Sequence, residues 1–301
     1  MVVAVLAVAA PGCGLGPGDS TSGDASLTVT RDYGAESLLE AEVSEPKESE
    51  TVMRLLDREA EIETLYGGGF VQSIEGVEGG FEDDRSYDWF FYVNGIESEV
   101  GAAEVSVRGG DRIWWDHRDW TSAMRMPAVV GSWPEPFLQA SAGAGLEPVR
   151  IDCAGDRSAC DLAADKLAEA GVKAEITTAG ETKTSDALRI VVGAWPEIRS
   201  DPAARLLEKS PASSGVFARF EDEELALLDE TGAEVLPAEG LVAATRDGEA
   251  APTWFVTGVD PEGVMAAVEL LDDEILHDRY AVASAAGQPV PIPVLEDEGS
   301  P

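Results

Sequence analysis

Tyr66, Tyr92, Trp114 and Trp120, with the Asn94 amide among them, are the side chains of this 301-residue chain best suited to chemistry, and that chemistry is recognition. Clustered aromatic rings stack on a planar ligand or a sugar ring, and they equally close the end of a small core. Core or interdomain packing accounts for most such rings; these four, with Asn94, are the candidates for an open ligand platform. His117 reads as a surface or hydrogen-bonded residue rather than a base. Reactive constellations are missing from the sequence: no Gly-x-Ser-x-Gly elbow, no Walker loop, no His-Glu-x-x-His. The glycine-rich run Gly12 to Gly18 follows an apolar segment rather than a strand, which is the wrong context for a dinucleotide. His117 and His277 have no triad context, so nucleophilic hydrolysis is disfavoured. Carboxylate pairs are too abundant to point anywhere, and an acid/base glycosidase is disfavoured with them. The expectation is a chain without catalytic residues, metal ligands or a cofactor. An enzyme in the second half would betray itself as a deep polar pocket holding a carboxylate of raised pKa.

Three cysteines carry the remaining chemistry. Met1 to Cys13 reads MVVAVLAVAAPGC, too short to span a bilayer, which needs about 20 apolar residues, and suited to a signal segment. Small residues ending at Cys are similar to the lipobox of bacterial lipoproteins, in which that Cys is lipidated. Pro11 and Ala10 stand where Leu is more usual, and no basic stretch precedes the run, as expected if translation begins upstream. Residues 14–25 then read as a flexible Gly/Ser/Asp tether. An ordinary secretory signal or a frayed N-terminus is the plainer alternative. Cys153 and Cys160 are an even pair that an exported protein would oxidise, with Cys153 ending a strand and Cys160 opening a helix. Two buried thiols are the competing reading. Cys-x6-Cys without a nearby His is no zinc signature.

The elements that must position the aromatics lie between Tyr87 and His117. Asn94-Gly95 tolerates the φ > 0 that a tight hairpin requires. Trp89, Phe91 and Val93 alternate with Phe90 and Tyr92, so the strand is covered on both faces. Trp114 and Trp115 likewise point to opposite faces; one joins the core and the other needs a cover, a ligand or a second domain. Val100 to Val107 alternates like a further strand. Ala25 to Arg31 reads as the first strand, Thr51 to Leu65 as a helix capped by Ser49 or Glu50 with Val52, Leu55, Leu56 and Ile62 inward, Phe70 to Ile74 as a strand, and Glu75 to Arg85 as an exposed acidic loop rather than a calcium site.

This order of residues resembles a known family, the transcobalamin-like C-terminal domain of Gram-positive surface lipoproteins and vertebrate cobalamin carriers. The matching residues are Thr51-Val52-Met53-x-Leu55-Leu56, Tyr66-Gly67-Gly68-Gly69-Phe70-Val71-x-Ser73-Ile74-x-Gly76, Trp89-x-x-Tyr92-Val93-Asn94-Gly95, Gly101-Ala102 and Gly110-Asp111-x-Ile113-x-Trp115. The resemblance implies an extracellular β-grasp-like module, a mixed sheet with one packing helix, that binds a ligand. A corrinoid is what the cobalamin carriers suggest, but they pair the module with an α-helical barrel, whereas the rest of this chain alternates strands and helices.

With 58 acidic against 21 basic residues and a formal net charge of −37, the chain repels phosphate backbones, so nucleic acid is not an expected partner. Solubility or salt adaptation is the simplest account of that charge. Residues 121–136 read as a Pro-rich linker anchored by Trp133 and Met124. From 137 the chain alternates: strands at Val149 to Cys153, Val172 to Thr178 and a central Ala187 to Trp195, a helix capped by Ser158 and Asp161 and ended by Gly171, a short helix from Asp201-Pro202 to Glu208, short strands at 215–220, 224–228, 241–245 and 253–256, and a helix from Asp260-Pro261 carrying Val264, Val268, Leu271 and Ile275. The fold class is α+β: segments 1–13 signal, 14–25 tether, 26–120 the β-grasp-like domain, 121–136 linker, 137–295 a second α/β sandwich domain and 296–301 an acidic tail. The function expected is a lipid-anchored surface protein on the outer side of the cytoplasmic membrane that captures a small molecule. A structural or protein-interaction role with an envelope protein as partner, and an enzyme in the C-terminal domain, are the alternatives.

Overall fold

Asn94 and Gly95 both take the left-handed conformation, φ 56° and 76°, and fold the strand Arg85–Val93 back onto Ile96–Glu97. No side chain fits at Gly95, because a Cβ there would lie 2.7 Å from the Val129 carbonyl oxygen. In the computed structural model, which describes residues 20–141, 149–180, 187–222, 224–248 and 250–295, this hairpin belongs to the first of two large sheets of an α+β protein. The signal segment with Cys13, residues 14–19 of the tether and the acidic tail lie outside the described residues.

The first sheet has six strands, with Glu36–Val43, Ala25–Arg31, Arg112–Asp119, Arg85–Val93 and Gly80–Glu82 side by side. It is mixed: Ala25–Arg31 pairs parallel with Arg112–Asp119 and the remaining neighbours are antiparallel. Across one face lies the helix Val52–Glu59, capped by the Thr51 hydroxyl accepting from the Arg54 amide. It buries Val52, Leu55 and Leu56 against Leu27, Val29, Trp89, Phe91 and Trp115. This is the β-grasp-like arrangement.

Several boundaries differ from expectation for local reasons. The helix ends at Glu59, because Ile62–Leu65 alternates and pairs as a strand with Phe70–Ile74. The acidic stretch 75–85 is not simply a loop; it holds the short strands Val77–Glu78 and Gly80–Glu82. Val100 to Val107 is not a strand. Its carbonyls serve the helix instead, Val105 accepting from the Val52 amide at 2.9 Å and Ala102 from the Met53 amide at 3.0 Å.

The second sheet has seven strands, parallel across Ala174–Thr178, Val149–Cys153, Leu188–Ala194 and Thr253–Gly258 and antiparallel through Gly240–Thr245, Ala281–Ala285 and Gln288–Ile292. Leu188–Ala194 is buried along its whole length and is flanked by strands on both sides. Helices Arg157–Glu169 and Pro261–Glu269 cover one face; short helices and a three-stranded sheet, Ala218–Glu221, Glu224–Leu228 and Glu234–Ala238, cover the other. Asp156, not Ser158, caps the first of these helices, and Ile275 lies in a separate helix, Asp273–Leu276, because Pro261–Glu269 ends earlier. The segment after Asp201-Pro202 is a 3-10 turn over Ala204–Glu208. Cys153 and Cys160 form a disulfide between the end of a strand and the first turns of the next helix.

Residues 121–136 are a built part of the interior rather than a strap on the surface. Ala128, Val130 and Trp133 join the core of the second sheet with Phe137, while Ala123, Met126 and Val129 pack toward the first. Met124 does not anchor anything: it is 64% exposed.

Candidate functional site

The five residues singled out by their chemistry do not share a surface. Tyr92 and Trp114 are buried, their ring centroids 5.3 Å apart, on the sheet face opposite the helix. Alternation sends them there, and the second half supplies the cover: Tyr280, Phe217 and Leu228 close over Tyr33, Tyr92 and Trp114. Asn94 has both ends of its amide committed, donating to Asp111 Oδ1 and accepting from the Arg112 amide, each at 2.9 Å. Trp120 is half-buried just beyond the strand end, its amide bonded to the Ser86 carbonyl. Only Tyr66 is open, 89% exposed at a glycine turn, edge-on to Phe70 at 6.3 Å. An open platform built from these residues is therefore corrected to a sealed joint, an isolated tip and a committed turn.

The joint is polar at its centre. Asp116, fully buried, accepts from the Thr30 hydroxyl at 2.6 Å, the Gly34 amide at 3.0 Å and the Tyr280 hydroxyl at 2.9 Å. Burial pushes its pKa up to about 6, with the three hydrogen bonds and Arg118 pulling the other way. Arg118 lies 3.8 Å above the Phe90 ring and donates to the Ala123 and Met124 carbonyls at 2.8 and 3.1 Å. The turn Asp32-Tyr33-Gly34 is left-handed throughout and inserts here; Tyr33 donates to the Asp119 carbonyl at 2.6 Å, and a Cβ on Gly34 would lie 1.8 Å from the Asp278 carbonyl oxygen. Glu135, buried near Asp111, has its pKa pushed up to about 7 by burial. Asp116, through Tyr280, ties the two halves together, whereas Glu135 accepts from the Gln139 amide four residues on.

An accessible site forms at the other face of the first sheet, where the helix no longer covers it. Leu27, Val29 and Arg31 on one strand and Ile113, Trp115 and His117 on its parallel neighbour share that face, with Arg31 opposite His117 in register. Trp89 pairs with His117 in turn, and Tyr87 is opposite Gly80 on the short edge strand. The aromatic row that begins in the core at Trp115 and Phe91, centroids 4.8 Å apart, thus runs out through Trp89 and His117 to Tyr87. Beyond the core it borders a cleft of about 700 Å³ lined by Arg31, Asp32, Tyr87, His117 and the segment 76–82, whose two short strands pair with Phe70–Ile74 and Arg85–Val93.

His117 is the hinge between core and cleft. Its ring stacks on Tyr87 at 5.7 Å with 10° between the planes, and its Nε2–H donates to the Glu78 carbonyl oxygen at 3.1 Å, since a carbonyl can only accept. Burial lowers its pKa below the ordinary histidine value, so the imidazole is neutral at neutral pH. Trp89 Nε1 donates to the Val77 carbonyl at 3.0 Å and pins the 76–82 segment over the sheet end. The segment brings glycine instead of bulk: nothing lies within 4 Å of a Cβ added to Gly76 or Gly80. Phe81 stays 71% exposed at the rim. Sequence reasoning passed over this place because it reads as a solvated acidic loop. The signal was Gly79-Gly80-Phe81 immediately before an aromatic strand.

Among the described residues no group of His, Cys, Asp and Glu has the arrangement to hold a metal ion, and no helix is long and apolar enough to cross a membrane. A family model described as a domain of unknown function (DUF4430) matches residues 49–118, which contain the helix, the 76–82 segment, Tyr87 and His117. No curated protein matches the chain. Among solved structures, a protein from Ruminococcus gnavus provisionally described as metal binding is similar at 16% identity, with a TM-score of 0.26, covering 32% of this chain and 97% of that one.

Proposed function

We propose that this chain is a non-catalytic binding protein of the cell surface, anchored through a lipid on Cys13, whose first module captures a small molecule in the cleft under the 76–82 segment. One observation carries the reading. The aromatic row of the module's core is not closed at the His117 and Tyr87 end but continues into an open cleft of a size, about 700 Å³, typical of small-molecule sites. The cleft lies mostly within the span matched by the family model, and the transcobalamin-like resemblance, a ligand-binding module, points the same way. The Cys153–Cys160 disulfide suits an oxidising compartment outside the cytoplasm.

Native mass spectrometry of the protein isolated from its own host tests capture and address together. The expected spectrum shows a diacylglyceryl mass on Cys13 and a retained small molecule that is lost from the Gly80→Arg variant. Gly80 faces Tyr87 across the strand pair and has room for a side chain, so that variant fills the cleft without disturbing the fold. A retained mass unaffected by Gly80→Arg overturns the cleft as the site. The exposed tip formed by Leu65, Tyr66 and Phe70 favours a second reading, an interaction module for an envelope protein. Cross-linking from a photoreactive residue at position 66 in the native envelope, giving one discrete adduct, is its expected signature, and none overturns it.

A further inference from the structure

The chemistry of the cleft narrows what it can hold. Its walls are aromatic on the sheet side, with the Tyr87 and His117 rings parallel and Phe81 at the rim. Its charge is negative. Asp32, Glu78 and Glu82 line it, and among the described residues the cationic side chain lining it is Arg31, whose guanidinium donates to Glu36 at 2.8 Å and lies 3.5 Å from Asp32. His117 adds no charge, because burial keeps its ring neutral. The Glu78 main-chain carbonyl accepts from His117, and Glu78 itself is exposed.

An anion would enter against these carboxylates and against the field of a chain of net charge −37. A neutral planar ligand would use the rings and gain nothing from the acids. A positively charged group with an apolar collar uses both, since aromatic faces attract cations through the ring quadrupole and carboxylates attract them directly. The glycine-rich segment 76–82 admits the bulk of such a group, as nothing lies within 4 Å of a Cβ at Gly76 or Gly80. We infer that the cleft bordered by Tyr87, His117 and Phe81 takes an organic cation, a quaternary ammonium or protonated alkylamine group, recognised by its aromatic rings together with Glu78 and Glu82. The inference rests on the reading that this cleft is the binding site, and adds the class of ligand.

Choline and its uncharged isostere 3,3-dimethylbutan-1-ol test it, because they share a shape and differ in charge. Titration of the full chain followed by amide NMR should show saturable shifts for choline at Gly76, Gly80 and His117. The isostere should bind at least tenfold more weakly, the factor that about 1.4 kcal/mol of cation recognition supplies. Glu78→Gln with Glu82→Gln should weaken choline severalfold and leave the isostere unchanged; both positions are exposed, so the fold tolerates the change. Equal binding of the two probes at the cleft overturns the cation and spares the cleft as a site. Choline shifts confined to other parts of the protein, or no shifts from either probe, overturn the inference outright.

Discussion

The Tyr280 hydroxyl donates to Asp116 across 2.9 Å, joining the start of the strand Ala281–Ala285 in the second half to the central strand Arg112–Asp119 of the first sheet. Around this bond Trp114 packs edge-on to Tyr280 at 5.0 Å and Tyr33 does so at 5.4 Å. Asp116 is satisfied by donors from both halves, Thr30 and Gly34 from the first and Tyr280 from the second, and the rings exclude water from it.

Its pH dependence has a definite sign. The Asp116 pKa is about 6 folded against an ordinary 3.8, so the folded protein holds this proton more tightly than the unfolded chain does. The stability this contributes is present below the ordinary value and lost as pH rises through about 6. Asp116→Asn keeps an acceptor and removes the titration. Chemical denaturation should therefore show the variant gaining on the wild type as pH rises from 4 to 7, by at most about 3 kcal/mol. A difference that does not change with pH rules out Asp116 as the titrating group.

Two aromatic residues offered by the sequence as equals should part company on substitution. Trp114→Ala opens a cavity in the joint, where the indole also donates to the Thr30 hydroxyl at 2.8 Å, and should cost about 3–5 kcal/mol in urea denaturation. Tyr66→Ser removes a ring that is 89% exposed and should shift stability by no more than about 0.5 kcal/mol. Similar losses at both positions would contradict the packing described.

Cys153 and Cys160 are separated by 7 residues, so their bond closes a short loop. Replacing both with Ala should lower stability by about 2 kcal/mol, the entropy that a loop of this size removes from the unfolded chain. Reductant should lower the wild-type melting temperature to about that of the variant and leave the variant's unchanged. A wild type indifferent to reductant would show that the bridge contributes nothing.

Much of the first sheet was legible because its signals are local. Asn94-Gly95 can only turn, and the alternation from Trp89 to Val93 assigns each ring to a face within a few residues. Trp114 needed a cover, which was also legible, but the cover itself was not: Tyr280 stands 164 residues from Asp116, and no local pattern marks it as a partner. Edge strands hid for a different reason. Glu36–Val43 is rich in Glu and Gln288–Ile292 holds two prolines, both suited to a sheet's margin and poor in strand signals. The cleft was missed because its 76–82 segment is acidic and glycine-rich, a composition shared by loops that do nothing. Only the register of Arg31 against His117 and of Gly80 against Tyr87 gives it a wall and a floor.

Because Tyr33, Tyr92 and Trp114 face Phe217, Leu228 and Tyr280, the span that a family model recognises is smaller than the piece that can exist by itself. Residues 26–120 released by proteolysis, or borrowed for a chimera, would present a greasy sheet face with an ionisable carboxyl at its middle. Evolution can exchange the cleft without touching that face, but it can trade the second half only for another roof of the same shape.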